Sequence, residues 1–85
     1  MITFSYTIKD ELGIHARPAG SLAKVAKEFE SEIFIELKGK KINATKIIGI
    51  MGMGIKYKDT IAVTVVGQDE EKAANAIKSF LEENL

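Results

Sequence analysis

Ile2-Thr3-Phe4-Ser5-Tyr6-Thr7-Ile8-Lys9 alternates apolar and polar residues at every step, and from Pro18 the period changes, with Pro18, Leu22, Val25, Ala26 and Phe29 recurring at three and four residues. The first pattern is that of a strand with one buried face. The second is an amphipathic helix whose other face carries Lys24, Lys27, Glu28 and Glu30. Pro18 suits a first helical turn, where its missing N–H would have had no partner. Alternation returns at Ile33, Ile35 and Leu37, and Lys38-Gly39 offers a tight turn into a short strand around Lys41 to Asn43. Thr45 to Met53 is apolar at almost every angle and interrupted by Gly49 and Gly52. It reads as one or two turns of helix, capped by Asn43 or Thr45 and stopped near Gly54. Thr60 to Val66 alternates around Ile61, Val63 and Val65 and predicts a fourth, central strand. Gly67 breaks it, Asp69 is the candidate N-cap of a last helix, and Ala73, Ala74, Ile77, Phe80 and Leu81 form that helix's buried stripe. The order β-α-β-β-α-β-α predicts an α+β domain spanning residues 1–85, an antiparallel sheet with helices over one face.

Composition narrows the function classes. Twelve Lys plus Arg against twelve Asp plus Glu leave no basic excess, which argues against a nucleic-acid partner or a membrane surface. There is no cysteine and one histidine, so disulfides, thiolate chemistry and a dedicated metal site are not expected. No apolar run approaches the roughly 18 to 20 residues of a membrane span, and Met1 to Tyr6 lacks the basic start of a leader. A cytoplasmic protein without membrane insertion is expected.

That one histidine and the one proline lie together in Gly13-Ile14-His15-Ala16-Arg17-Pro18-Ala19. The segment joins a strand to a helix, which places His15 at or just before a helix N-terminus, beside backbone N–H groups that lack internal partners. Arg17 adds a fork of N–H donors suited to phosphate oxygens. An imidazole next to an oxyanion cradle can carry a phosphoryl group on nitrogen. The plain alternatives are a surface or capping histidine, and an arginine that is a solvated charge set against the helix dipole.

This motif, followed by Lys46-Ile47-Ile48-Gly49-Ile50-Met51-Gly52-Met53-Gly54, resembles the HPr phosphocarrier proteins of the bacterial phosphoenolpyruvate-dependent sugar phosphotransferase system. The resemblance covers nearly the whole chain. It implies an open-faced β-sandwich, three helices on a four-stranded antiparallel sheet. It also implies that His15 receives phosphate from enzyme I and passes it to IIA components, with Arg17 contacting the phosphate and no organic cofactor or metal. Since both partners would meet one face, a monomer is expected. In HPr proteins of low-GC Gram-positive bacteria the first residue of the second motif is a serine phosphorylated by a dedicated kinase. Here it is Lys46, so that regulation is expected to be absent.

The second short helix has more apolar residues than it can bury, and exposed apolar groups rimmed by charge mark protein interfaces. The resemblance implies a docking face on the first two helices, here Ala16, Gly20, Lys24, Lys27, Ile47, Ile48 and Met51. Lys46 either adds positive potential to it or is a solvated lysine. Ile47 or Met51 could instead fill core, and Gly20 either keeps the approach to His15 open or accommodates packing. Two further readings remain: a paralogue serving a regulatory phosphorelay, nitrogen-related or of a dihydroxyacetone-kinase branch, and a binding module that transfers nothing. A pure adaptor would need neither His15 nor Arg17.

Overall fold

The computed structural model describes all 85 residues. Its elements are β1 (Ile2–Thr7), α1 (Ala16–Lys27), β2 (Glu32–Leu37), β3 (Lys40–Asn43), α2 (Ile47–Gly52), β4 (Thr60–Val66) and α3 (Glu70–Asn84). The strands form one antiparallel sheet in the order β1-β4-β2-β3, so β4 is an inner strand as expected, together with β2, and β1 and β3 are the edges.

Register explains which residues go inside. Tyr6 sits opposite Ile61, Phe4 opposite Val63 and Ile2 opposite Val65, while Val65 and Val63 face Ile33 and Ile35 on the other side. Side chains alternate across a pleated strand, so these positions share one face and the helices cover it. Leu22 and Ala26 of α1 and Ile77 and Leu81 of α3 pack into the same cluster, which also takes Ile50 of α2. On α1 the fully buried residues are Ala19, Leu22, Ala23 and Ala26, whereas Pro18 and Val25 lie at the margin, as does Phe29, which falls just beyond the end of the helix. α1 packs against α2 and α3. The opposite face, with Thr3, Ser5, Glu32 and Glu36, is open to solvent.

The hairpin between β2 and β3 turns through Lys38 and Gly39, both at positive φ (51° and 84°). Two such residues match the twist of the flanking strands, and Gly39 takes one of them without a side-chain penalty.

One capping expectation is corrected, and Asp69 holds its expected N-cap position but uses its side chain elsewhere. Neither Asn43 nor Thr45 caps α2: the N-cap is Lys46, which makes no side-chain cap bond. The Asn43 carboxamide oxygen instead accepts the Thr45 N–H (2.9 Å) and the Thr45 hydroxyl (2.8 Å), closing an Asx turn one residue earlier. Asp69 holds the N-cap position of α3, yet its carboxylate makes no cap bond either. It accepts the Glu30 N–H (3.0 Å), the Ser31 N–H (2.9 Å) and the Ser31 hydroxyl, tying the start of α3 to the connection between α1 and β2. The Ser31 hydroxyl, then the Glu30 N–H, hold the Asp69 carboxyl below the usual carboxylate range.

Candidate functional site

His15 is the N-cap residue of α1, with extended backbone (φ −117°, ψ −171°), and its side chain makes no cap bond. Its carbonyl accepts the Ala19 N–H at 3.0 Å, the first bond of the helix. Pro18 has no N–H, so the backbone donors of the first turn without a carbonyl partner are those of Ala16 and Arg17. His15, Ala16 and Arg17 are all exposed, and the first turn holds no acidic residue. The protein's one salt bridge joins the N-terminal ammonium to Glu70, so the Arg17 guanidinium has no carboxylate partner.

The backbone before His15 is fixed from behind. Gly13 has φ +67°, and a Cβ there would overlap the Ile55 carbonyl oxygen and lie 2.9 Å from the Lys56 Cα. The Ile14 N–H donates to that same carbonyl at 3.1 Å, and the Ile14 side chain is buried. Only glycine permits this approach, and it sets the point at which α1 starts. The Asp10 carboxylate accepts the Leu12 N–H at 2.9 Å and the Asp10 carbonyl accepts the Gly13 N–H at 3.0 Å, which closes the preceding turn.

These pieces border a surface cleft of about 430 Å³. His15, Arg17, Pro18 and Ser21 come from the front of α1, Asp10 and Leu12 from the turn, and Asn84 from the end of α3. Leu12 and Asn84 carry no motif that sequence reasoning could use. The signal for Leu12 was available in principle, since an apolar residue outside the strand alternation, just before a glycine, has no core position to fill. A second cleft, lined by Gly67 to Lys72 at the start of α3, contains neither His15 nor any residue of the expected docking face.

The remaining site residues are grouped by α1 and α2, which pack against each other. Ala16, Lys24 and Lys27 are exposed on α1, at helical intervals that place them along one side. Gly20, in the same row, would put a Cβ within 4 Å of nothing, so no packing requirement explains it. Lys46 is exposed at the start of α2. Ile48 is 81% exposed, Met51 42% and Ile47 37%, while Ile50 points into the core. The α2 residues therefore divide as a short helix lying on a core must: one side in, the others to solvent.

No group of His, Cys, Asp and Glu is placed to hold a metal ion, and no helix is long and apolar enough to cross a membrane. An exposed imidazole and an unpaired guanidinium lie beside two free N–H groups at the start of a helix on an open-faced sandwich, a set of donors that can hold a small oxyanion. The PTS-HPr family profile, described as the PTS HPr component phosphorylation site, matches residues 2–83, and the chain belongs to this family. It is 45% identical to the phosphocarrier protein HPr of Mycoplasma genitalium over 85 residues, covering 99% of this chain and 97% of that one. HPr from Thermoanaerobacter tengcongensis has the same fold, with a TM-score of 0.93 and 36% identity over 98% of this chain and 93% of that one. A structure of an HPr dimer from that organism matches with a TM-score of 0.78 and 37% identity, covering 92% and 90%.

Proposed function

We propose that His15 is the phosphoryl acceptor of this chain and that Arg17 holds the group there. The chain is a phosphocarrier protein of the phosphotransferase system. The observation that carries the assignment to His15 is its position: it is the one histidine of the chain, at the N-terminus of α1, exposed and free of any side-chain cap bond. On the donor, the bond from phosphorus to the leaving atom breaks and that atom keeps the electron pair. A lone pair on an unprotonated imidazole nitrogen forms the new phosphorus–nitrogen bond, in line with the one that breaks. The Arg17 guanidinium and the N–H groups of Ala16 and Arg17 then hold the oxygens. Delivery is the same event in reverse order, onto an acceptor's nucleophile.

An open site suits a carrier. A pocket that enclosed the phosphoryl group would deepen the ground state and slow its onward transfer. The donor is enzyme I charged from phosphoenolpyruvate and the acceptors are IIA components, all meeting the face formed by Ala16, Gly20, Lys24, Lys27, Lys46, Ile47, Ile48 and Met51. The 1–85 chain acts as one cytoplasmic domain and as a monomer, since dimerisation through that face would cover it. Lys46 cannot accept phosphate as a serine would, and the Thr45 hydroxyl is already donated to Asn43. Kinase regulation at this position is therefore absent.

The test is incubation with enzyme I, magnesium and phosphoenolpyruvate. One acid-labile, base-stable phosphate is expected, absent from His15→Ala and discharged by a IIA protein. A phosphate that persists in folded His15→Ala removes the assignment.

A further inference from the structure

Asp10 brings a carboxylate to the cleft that holds His15 and Arg17, although the first turn of α1 itself carries no acidic residue. The charge is fixed in place. The Asp10 N–H donates to the Leu85 carbonyl at 2.8 Å, its carbonyl accepts the Gly13 N–H at 3.0 Å, and its Oδ1 accepts the Leu12 N–H at 2.9 Å. Backbone and side chain are thus tied at three points. The charge is also not neutralised: the protein's one salt bridge is that of the N-terminal ammonium with Glu70, so neither Arg17 nor Lys9 pairs with Asp10.

The bond from the Leu12 N–H accounts for an acceptor at position 10 but not for a charged one, since an asparagine or serine side chain closes the same kind of turn. A phosphoryl group on His15 adds up to about two negative charges to the cleft. Like charges that share a partly desolvated site repel, and being fixed, the Asp10 carboxylate cannot turn away to relieve the repulsion. The Arg17 guanidinium and the N–H groups of Ala16 and Arg17 pull the same phosphoryl group in. One side of the cleft therefore attracts the group and the other opposes it.

We propose that Asp10 sets the phosphoryl-transfer potential of His15: its fixed carboxylate raises the free energy of the phosphorylated chain, so that Arg17 does not hold the group too well to pass it on. The inference rests on the phosphocarrier reading of His15 and deepens it by naming the group that offsets Arg17. In delivery the phosphorus–nitrogen bond breaks, the imidazole nitrogen keeps the electron pair, and phosphorus bonds to the acceptor's nucleophile. Repulsion from Asp10 is relieved as the group departs. Asp10 forms and breaks no bond in this step and acts through its field alone.

The experiment measures the equilibrium constant for charging in wild type, Asp10→Asn and Asp10→Ser, with enzyme I, magnesium and set ratios of phosphoenolpyruvate to pyruvate, read as the phosphorylated fraction once it is constant. Both variants are neutral and keep an acceptor for the Leu12 N–H. The constant should rise about three- to tenfold in both at low ionic strength, the range Coulomb's law gives for charges a few side-chain lengths apart near a protein surface. Near 1 M salt, where the screening length is about 3 Å, the gain should fall below about twofold. Glu11→Gln removes the same charge from a neighbour that does not border the cleft, and should change the constant less than half as much. An unchanged or lowered constant in both Asp10 variants, while wild type charges normally, overturns the role of Asp10 alone. So does a gain that ignores salt, a gain in Asp10→Asn only, which assigns the effect to its new amide donor, or an equal gain in Glu11→Gln, which assigns it to net charge. If wild type takes no phosphate on His15, the phosphocarrier reading falls and this inference with it.

Discussion

Replacing Gly13 with alanine places a methyl group where the Ile55 carbonyl oxygen already lies, and 2.9 Å from the Lys56 Cα. Both contacts are with backbone, so no flexible side chain can swing away. The φ of +67° adds a second penalty, about 1–2 kcal/mol for an L-residue in the left-handed region. Relief requires the turn to lift from Ile55, which stretches the 3.1 Å bond from the Ile14 N–H, a bond contributing about 0.5–1.5 kcal/mol. Together these give a loss of about 2–4 kcal/mol, since the clash is relieved by the same movement that lengthens the bond. For a domain of this size each kcal/mol shifts the melting temperature by about 4–8 °C, so Gly13→Ala should melt about 10–25 °C below wild type. Gly20→Ala is the control, because its Cβ meets nothing within 4 Å and it lies inside a helix. There the higher helix propensity of alanine should stabilise by up to about 1 kcal/mol. Thermal and urea unfolding, followed by circular dichroism, give both values. Because Ile14 directly precedes His15, Gly13→Ala should also lose phosphoryl acceptance at temperatures where it remains folded. A Gly13→Ala protein melting within about 3 °C of wild type would refute the close-approach argument.

Leu22→Ala, a fully buried change on the helix that begins at His15, should destabilise by about 2–5 kcal/mol in urea unfolding. Ile48→Ala, at an 81% exposed position, should leave stability within about 0.5 kcal/mol and weaken transfer to IIA partners, seen as a raised KM for the phosphorylated chain. Asp69 titrates below the ordinary carboxylate range, so it stabilises the fold fully above the unfolded value of about 4, and this is lost as pH falls through its lowered folded value. An acid unfolding series should therefore show Asp69→Asn less stable than wild type near neutrality and the gap closing towards low pH. A constant gap across that range would assign its effect to something other than ionisation. Glu70, lowered by the N-terminal ammonium and then by the Gly67 N–H, should behave the same way as Glu70→Gln.

The order of elements was legible in the sequence because it depends on local periodicity. Ile61, Val63 and Val65 alternate, but Ile2, Phe4 and Tyr6 alternate as strictly in an edge strand, so alternation marks a strand and its buried face while pairing across the fold sets its place in the sheet. The turn at Lys38-Gly39 and the overfilled apolar surface of α2 are also local properties. The candidate site was legible for the same reason: His15, Arg17 and Pro18 are neighbours in sequence, and a strand-to-helix junction places them without help from distant residues. The grouping of Lys24, Lys27, Ile47, Ile48 and Met51 across two helices came from family resemblance.

What local pattern could not supply were pairings across the fold. Asp69 reads as an N-cap because it precedes a helix, but Ser31 and Glu30 lie nearby only after α3 has packed beside α1, and a carboxylate with three outside donors has little left for its own helix. Asn43 and Thr45 satisfied each other, leaving Lys46 to begin α2 uncapped. The sequence by itself determined the strands and the helices and placed His15 at a helix start, since hydrophobic period and backbone preference act over a few residues. Only the tertiary structure decided that His15 shares a cleft with Leu12 and with Asn84 from the end of α3, and that Ile14 is held inside by Ile55, because these pairings join residues some forty to seventy positions apart in the chain.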